Sequence, residues 1–474
     1  MEKKTKLLIS ENDIILDFPH KREVFVDDIS DKAESCFIEY VKAQEQLFSC
    51  KEFLFRRYFA DAIQPADSIS LEDNFLFKGN NLIVLHSILP VFHGTVKLIY
   101  IDPPYNTGNT FIYKDKFSRA VWLLFMKNRL ETAWEFLRPD GILAVQCDEN
   151  EQAYLKVLMD ELFGEDNSLG VVAVMMNPGG RDYRSIARTH EYILFYGKTS
   201  QARLYPLPKI DKPFPFHDCL GGFELRSLRN GNIRFHEGNR PNLRYAFYVD
   251  PSKSDENGLY PVFLTKKKGR IEIFPKESQG TKTVWRWSKS KAKANLTTNL
   301  AARASKDTFL IFEKYRKDTK LVRSIWTEKE FQTSKGTRHI KEMFSYSAFD
   351  YPKPEQLIAR IIEIATLPSD RVMDFFLGSG TTAAAAHKMG RSWIGIEQMH
   401  YIDTVTLSRL QKVLTGEAGG ISELCGWKGG GNFLYAELLR DDKHPFGIDY
   451  IARQDKSCIS DFYHLSEQVQ INKV

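Results

Sequence analysis

Two stretches of this chain, about residues 73 to 200 and everything after about 345, alternate short apolar runs with amphipathic helical patterns. That rhythm predicts a parallel α/β sheet assembled from both ends of the chain. In the first stretch "VKLIYID", "GILAVQC" and "HEYILFYGK" read as strands, with "RAVWLLFMKNRLETAWEFL" and "NEQAYLKVLMDELFG" as the helices between them. In the second, "RVMDFF" and "SWIGIE" read as strands, and "PEQLIARIIEIATL" and "SGTTAAAAHKMG" as helices. A chain of 474 residues has room for two or three such sub-domains.

The interruption between the two stretches differs in charge. Residues 201 to 343 carry 30 Lys and Arg against 15 Asp and Glu, a net +15 inside a protein whose total is +5, so the remainder is acidic. A basic segment of short, turn-rich, β-leaning pieces predicts contact with a polyanion. Aromatic residues interleave with the cations in "RFHEGNRPNLRYAFYVD" and "TVWRWSKSKAK", a mixture suited to bases and phosphates. Lys266, Lys267, Lys268 and Arg270 are the expected phosphate ligands.

Other classes are disfavoured. No apolar run approaches the roughly 20 residues of a membrane span, and the start lacks the apolar core of a signal peptide, so the chain reads as cytoplasmic with no membrane partner. The six cysteines form no CxxC pair and there is no HExxH, so no metal site is expected. Residues 1 to 70 read as a helical accessory segment, because apolar positions in "SDKAESCFIEYVKAQEQLFSCKEFLFRRYFADAI" recur every three or four residues.

Two motifs carry chemistry. In "VMDFFLGSGTTAAAAHKMGRSWIGIE" a strand ends at Asp374, a glycine turn leads into a helix, and the next strand ends in Glu397, the place of a ribose-binding acid. No Lys follows the last glycine, so it is not a P-loop, and a nicotinamide dinucleotide or S-adenosylmethionine remains. The decapeptide "IYIDPPYNTG" separates these two. Methyl transfer to an exocyclic amine needs acceptors for its hydrogens; Asp102 supplies a carboxylate, the carbonyl of Pro103 a second acceptor, Pro103 and Pro104 rigidity, and Tyr105 a ring to stack on an extruded base.

On these residues the chain resembles the S-adenosylmethionine-dependent amino-methyltransferases of DNA, most of all the modification subunits of type III restriction–modification systems. The resemblance runs from about 73 to 440 through "FKGNNLIVLHSILPVFHGTVKLIYIDPPYNTGN", "THEYILFYGK", "NRPNLRYAFYV", "FSYSAFDYPKPEQLI", "DFFLGSGTTAAAA" and "WKGGGNFLYAEL". It implies a Rossmann-like, seven-stranded α/β core with circularly permuted motif order, the catalytic half at 71 to 200 and the cofactor half at 344 to 440. Between them lies an inserted target-recognition domain at 201 to 343, and a tail follows at 441 to 474. It implies catalysis by Asp102, Pro103, Pro104 and Tyr105, and binding of S-adenosylmethionine by Asp374, Phe376, Gly378, Ser379, Gly380, Thr381 and Glu397. Lys353 and Pro354 would help hold the methionine end. The family often has Gly-Asp-Asn-Leu where this chain has Gly79, Asn80, Asn81 and Leu82, so Asn80 stands where an acid would accept from the cofactor's adenine amine. Asp at the first catalytic position favours adenine N6 in duplex DNA; cytosine N4, RNA or a protein amide are the alternatives. A homodimer and a restriction (Res) subunit are the implied protein partners.

Overall fold

The computed structural model describes residues 16–26, 36–39, 43, 53–66, 68–108, 115–180, 185–209, 213–306, 308–438, 462–463 and 465. They form two compact units, one drawn from both ends of the chain, through Tyr205 and from Val322 onward, and one comprising Pro206–Leu321.

The first unit is built on an eleven-stranded mixed sheet. In chain order its strands are β1 (Phe53–Tyr58), β2 (Ile63–Pro65), β3 (Phe75–Lys78), β4 (Val96–Ile101), β5 (Leu137–Cys147), β6 (Ser168–Met175), β7 (His190–Gly197), β8 (Ile325–Trp326), β9 (Arg371–Asp374), β10 (Ser392–Glu397) and β11 (Phe433–Leu438). Across the sheet they lie β8-β6-β7-β5-β4-β9-β10-β3-β11-β1-β2. Strands β5, β4, β9, β10, β3 and β11 are parallel. Strand β7 runs antiparallel to both of its neighbours. The longer helices are α1 (Asn81–Phe92), α2 (Arg119–Trp134), α3 (Gln152–Phe163), α4 (Thr333–Phe344), α5 (Glu355–Ala365), α6 (Thr381–Lys388) and α7 (Leu407–Leu414).

The central strands are parallel because both faces are covered, and the sequence shows it: all six residues of β4 and all four of β9 are buried. Helix α2 connects β4 to β5 and helix α6 connects β9 to β10, on opposite sides of the β4–β9 pair. The connections therefore diverge there, and in open α/β sheets a crevice opens at such a switch point, beyond the carboxyl ends of the strands. Seven adjacent strands from β6 to β3 form a Rossmann-like core, extended by β8 on one edge and by β11, β1 and β2 on the other.

Two expectations are corrected. The helical reading of residues 1 to 70 fails wherever its strands are described: Glu23–Val26 pairs with Cys36–Glu39, and β1 and β2 extend the main sheet. In β1, Phe53, Phe55 and Tyr58 are buried, a spacing that also fits part of a helical turn, so the short apolar run was ambiguous. Residues 1–15, 27–35, 40–42, 44–52 and 67 lie outside the described residues. The basic unit ends at Leu321 rather than 343, because Ile325 and Trp326 pair with Ala173 and Val174 of the main sheet. Most of the tail after 440 lies outside the described residues, but Phe462 is fully buried against Phe53, Phe55, Phe75, Phe77 and Phe92.

The second unit is antiparallel. Five strands run in the order Phe216–Asp218, Gly221–Ser227, Thr308–Tyr315, Leu300–Ser305, Leu259–Tyr260, and Phe247–Val249 is the middle of a separate three-stranded sheet. Its core holds Tyr245, Phe247, Trp285 and Trp287. The indole of Trp285 donates to the Tyr245 carbonyl at 2.8 Å, and the Tyr245 hydroxyl to the Trp287 carbonyl at 3.0 Å. These rings, expected to face bases, are instead the packing of the unit.

Candidate active site

Strand β4 delivers Asp102 to the carboxyl edge of the sheet, and the turn after it is fixed on both sides. The indole of Trp122 donates to the Pro104 carbonyl at 2.7 Å. Asn106 has a left-handed backbone, φ 57°, and the buried Asp115 carboxylate accepts from the Asn106 and Thr107 amides at 2.8 and 3.0 Å and from the Thr107 hydroxyl. The Asn106 side chain accepts from the Phe117 amide and donates to Glu151, both at 2.8 Å. Prolines and clamps together give the turn one conformation.

Asp102 belongs to a cluster of charges. Lys353, which precedes α5, places its ammonium 3.0 Å from Asp102 Oδ2 and 3.2 Å from Glu191 Oε2, and donates to the Tyr105 hydroxyl at 3.0 Å. The Tyr105 hydroxyl in turn contacts Asp102 Oδ1 and Glu191 Oε2, the latter at 2.8 Å. Gln146 donates to Glu191 Oε2 at 2.7 Å and accepts from the Tyr100 hydroxyl at 2.7 Å. Burial pushes the Asp102 carboxyl above its ordinary value, opposed by the attraction of Lys353. Burial acts the same way on Glu191, but the Lys353 charge and the donors from Gln146 and Tyr105 outweigh it and hold this acid below its ordinary value. Burial disfavours the Lys353 cation, yet the two carboxylates keep it protonated well above the usual range.

Beside this cluster, β9 ends at Asp374, whose Oδ1 accepts from the Phe376 amide at 2.9 Å and whose Oδ2 accepts from the Thr382 hydroxyl at 2.6 Å. The loop then takes left-handed turns at Gly378 (φ 56°) and Gly380 (φ 83°); a Cβ on Gly380 would stand 3.1 Å from the Thr406 methyl. Glu397, at the end of β10, accepts from the amides of Gly378, Gln398 and Met399 at 2.8, 2.8 and 2.9 Å. With two amides on Oε1 and one on Oε2, Oε2 is the oxygen that can take a further donor. Arg409 on α7 braces the loop, donating to the Thr381 hydroxyl at 2.7 Å and the Ser379 hydroxyl at 3.1 Å.

A single cleft of about 950 Å³, open solvent included, joins the two motifs. Asp102, Pro104, Lys353, Asp374, Phe376, Gly378, Ser379, Thr381 and Glu397 line it. Tyr105 reaches it through Asp102, while Pro103, Pro354 and Gly380 belong to its supporting backbone. Asn80 is not on its wall: its side chain caps α1, accepting from the Leu82 amide at 3.1 Å. Asn81 lines the cleft instead, its amide donating to the Phe375 carbonyl at 2.8 Å and accepting from Arg129 at 2.7 Å. The acceptor carboxylate at Glu397, the glycine turns and the flanking Phe376 fit an adenosine-bearing ligand.

The four basic residues lie in the second unit, on the segment joining its strands Val262–Phe263 and Ile271–Ile273. Lys266, Lys267 and Lys268 are exposed. Arg270 folds back, with its guanidinium 3.4 Å from the Phe263 ring centroid and bonded to the Thr265 carbonyl at 3.1 Å.

Sequence reasoning missed Glu191. It stands in "THEYIL", where the available signal was an acid placed just before a buried apolar run.

Comparison with known proteins gives a consistent set of matches. A family model described as "DNA methylase" matches residues 96–406. The probable type III restriction-modification enzyme HindVI Mod subunit of Haemophilus influenzae is 36% identical over 445 residues, 83% of this chain and 58% of that protein. The type II methyltransferase M.KpnI of Klebsiella pneumoniae is 33% identical over 338 residues, 68% of this chain and 78% of that protein. The type III restriction-modification enzyme EcoPI Mod subunit of Escherichia phage P1 is 31% identical over 356 residues, 66% of this chain and 54% of that protein. The chain thus spans little more than half the length of these type III relatives.

Proposed function

This chain belongs to the DNA methylase family, and we propose that it transfers a methyl group from S-adenosylmethionine to adenine N6 at a specific site in duplex DNA. The observation that carries the reading is the single cleft in which Asp102 faces the glycine turn and Glu397. Motif order along the chain is then circularly permuted, catalytic half first. Likeness to type III Mod subunits supports a role in a restriction–modification system. Duplex DNA is its substrate, a second copy its working partner and a restriction subunit its further partner.

Glu397 would hold the ribose hydroxyls, and the Gly378–Thr381 turn the body of the cofactor. When bound, S-adenosylmethionine supplies an electrophilic methyl on sulfur; carbon–nitrogen bond formation at N6 accompanies carbon–sulfur cleavage, and sulfur keeps the electron pair. The protein's part is to make N6 a nucleophile. Asp102 and the Pro103 carbonyl accept its two hydrogens, which favours the lone-pair-bearing geometry and stabilises the positive charge developing on nitrogen. Asp102 then conducts one proton to solvent. Extruding the base from the duplex costs a few kcal/mol, offset by contacts in the cleft and by phosphate neutralisation, for which Lys266, Lys267 and Lys268 are exposed.

The test is transfer of labelled methyl from S-adenosylmethionine to duplex DNA, with the products digested to nucleosides. N6-methyladenine is the expected product; N4-methylcytosine would move the reading to cytosine, and unlabelled DNA would end it.

A further inference from the structure

We propose that Glu191 is a positioning residue for Asp102, a second carboxylate that shares Lys353 and so keeps Asp102 an effective acceptor for the adenine amine. The inference rests on reading the cleft as an adenine methylation site. Lys353 stands 3.0 Å from Asp102, and that pair by itself has no net charge with which to stabilise a cation forming on N6. Glu191 Oε2, 3.2 Å from the same ammonium, changes the balance. Two carboxylates and one ammonium leave one net negative charge at the ends of β4 and β7. Tyr105 adds a second coupling: its hydroxyl has one proton and two carboxylates within reach, and donation to Glu191 at 2.8 Å releases Asp102 Oδ1 for an incoming N–H.

Glu191 is itself held for this task. Tyr100 donates to Gln146 Oε1, which turns the Gln146 amide nitrogen toward Glu191 Oε2. Because β7 is antiparallel to β5, its first residues, not its last, lie at the edge where the parallel strands end; Glu191 is its second residue. The groups that face the two acids come from every neighbouring element: Tyr100 on β4, Tyr105 after it, Cys147 and Asp148 at the end of β5, Asp374 at the end of β9, and Lys353.

The test is Glu191→Gln, which keeps the volume and removes the charge, with kcat measured against pH on duplex DNA. With its like-charged neighbour gone and Lys353 retained, Asp102 ionises more easily, so the acid limb of the kcat profile moves to lower pH while the plateau falls roughly ten- to a hundredfold. Affinity for S-adenosylmethionine remains near wild type, and the melting temperature falls modestly, because Lys353 no longer stabilises a charge at this position. Glu191→Asp, which retains the charge, keeps the acid limb at its wild-type position. A wild-type profile and rate in Glu191→Gln overturns the proposal. So does a lower plateau with an unmoved limb, which would make Glu191 only a packing residue. Absence of methylated adenine with the wild-type enzyme overturns the functional reading and this role together.

Discussion

The sharpest consequence of the glycine-turn geometry concerns Glu397→Gln. The carboxylate accepts three backbone N–H bonds, one on Oε2 from Gly378 and two on Oε1 from Gln398 and Met399. The amide can keep the pair on its oxygen only by turning its NH2 toward the Gly378 amide, so one donor loses its acceptor. Leaving such a group unsatisfied costs about 1–3 kcal/mol of stability. The same rotation presents a donor where a ribose hydroxyl would have given its hydrogen. A hydrogen bond to a charged acceptor is worth about 1.5–3 kcal/mol, and at about 1.4 kcal/mol per tenfold the Kd for S-adenosylmethionine rises roughly ten- to a hundredfold. Titration calorimetry reads the affinity and a thermal scan the stability. A lowered melting temperature with Kd unchanged within about twofold would refute the ribose role and leave Glu397 as a loop brace.

Three further changes probe the scaffold and the basic unit. Glu355 is buried and accepts from Lys388 at 2.8 Å, Arg409 at 2.9 Å and the Ile421 amide at 3.1 Å, so Glu355→Ala leaves the buried Arg409 without its carboxylate, while Lys388 keeps Glu417; urea unfolding should show a loss of about 3 kcal/mol. Burial pushes Asp374 up to about 7, so the folded protein holds a proton that the unfolded chain releases near its ordinary 3.8. Stability contributed there declines as pH rises through that window. The wild-type melting temperature, measured relative to Asp374→Asn, should therefore fall from about pH 4 to about 7 and level off above. Replacing Lys266, Lys267 and Lys268 by Ser should weaken DNA binding alike for all sequences and reduce the slope of log affinity against log salt by up to about 3, read by fluorescence anisotropy.

The central strands were legible because complete burial leaves a simple mark, an apolar run such as "VKLIYI" bounded by turn residues. Phe53–Tyr58 was not, since Phe53 and Phe55 fit a period of two while Phe55 and Tyr58 fit one of 3.6, and six residues cannot decide between them. The aromatic residues of the basic segment failed for another reason: composition counts rings without saying which side of the backbone they occupy, and Trp285 and Trp287 turned inward. Asp102 and Glu397 could be singled out because each ends a parallel strand, and the carboxyl ends of such strands share one edge. Glu191 begins its strand, and only the antiparallel pairing of β7 with β5, invisible in one sequence, brings it to that edge. Lys353 was expected near the cofactor; that its ammonium also bridges two acids 251 and 162 residues earlier in the chain required the folded sheet.

The most direct measurement is nucleoside analysis with long-read sequencing of DNA from a methylation-free host expressing the wild-type chain or Asp102→Ala. N6-methyladenine should be confined to one short sequence in the wild type and absent in Asp102→Ala, whose affinity for S-adenosylmethionine stays within a few fold. Equal adenine methylation from the two proteins, or none from the wild type, would contradict this reading.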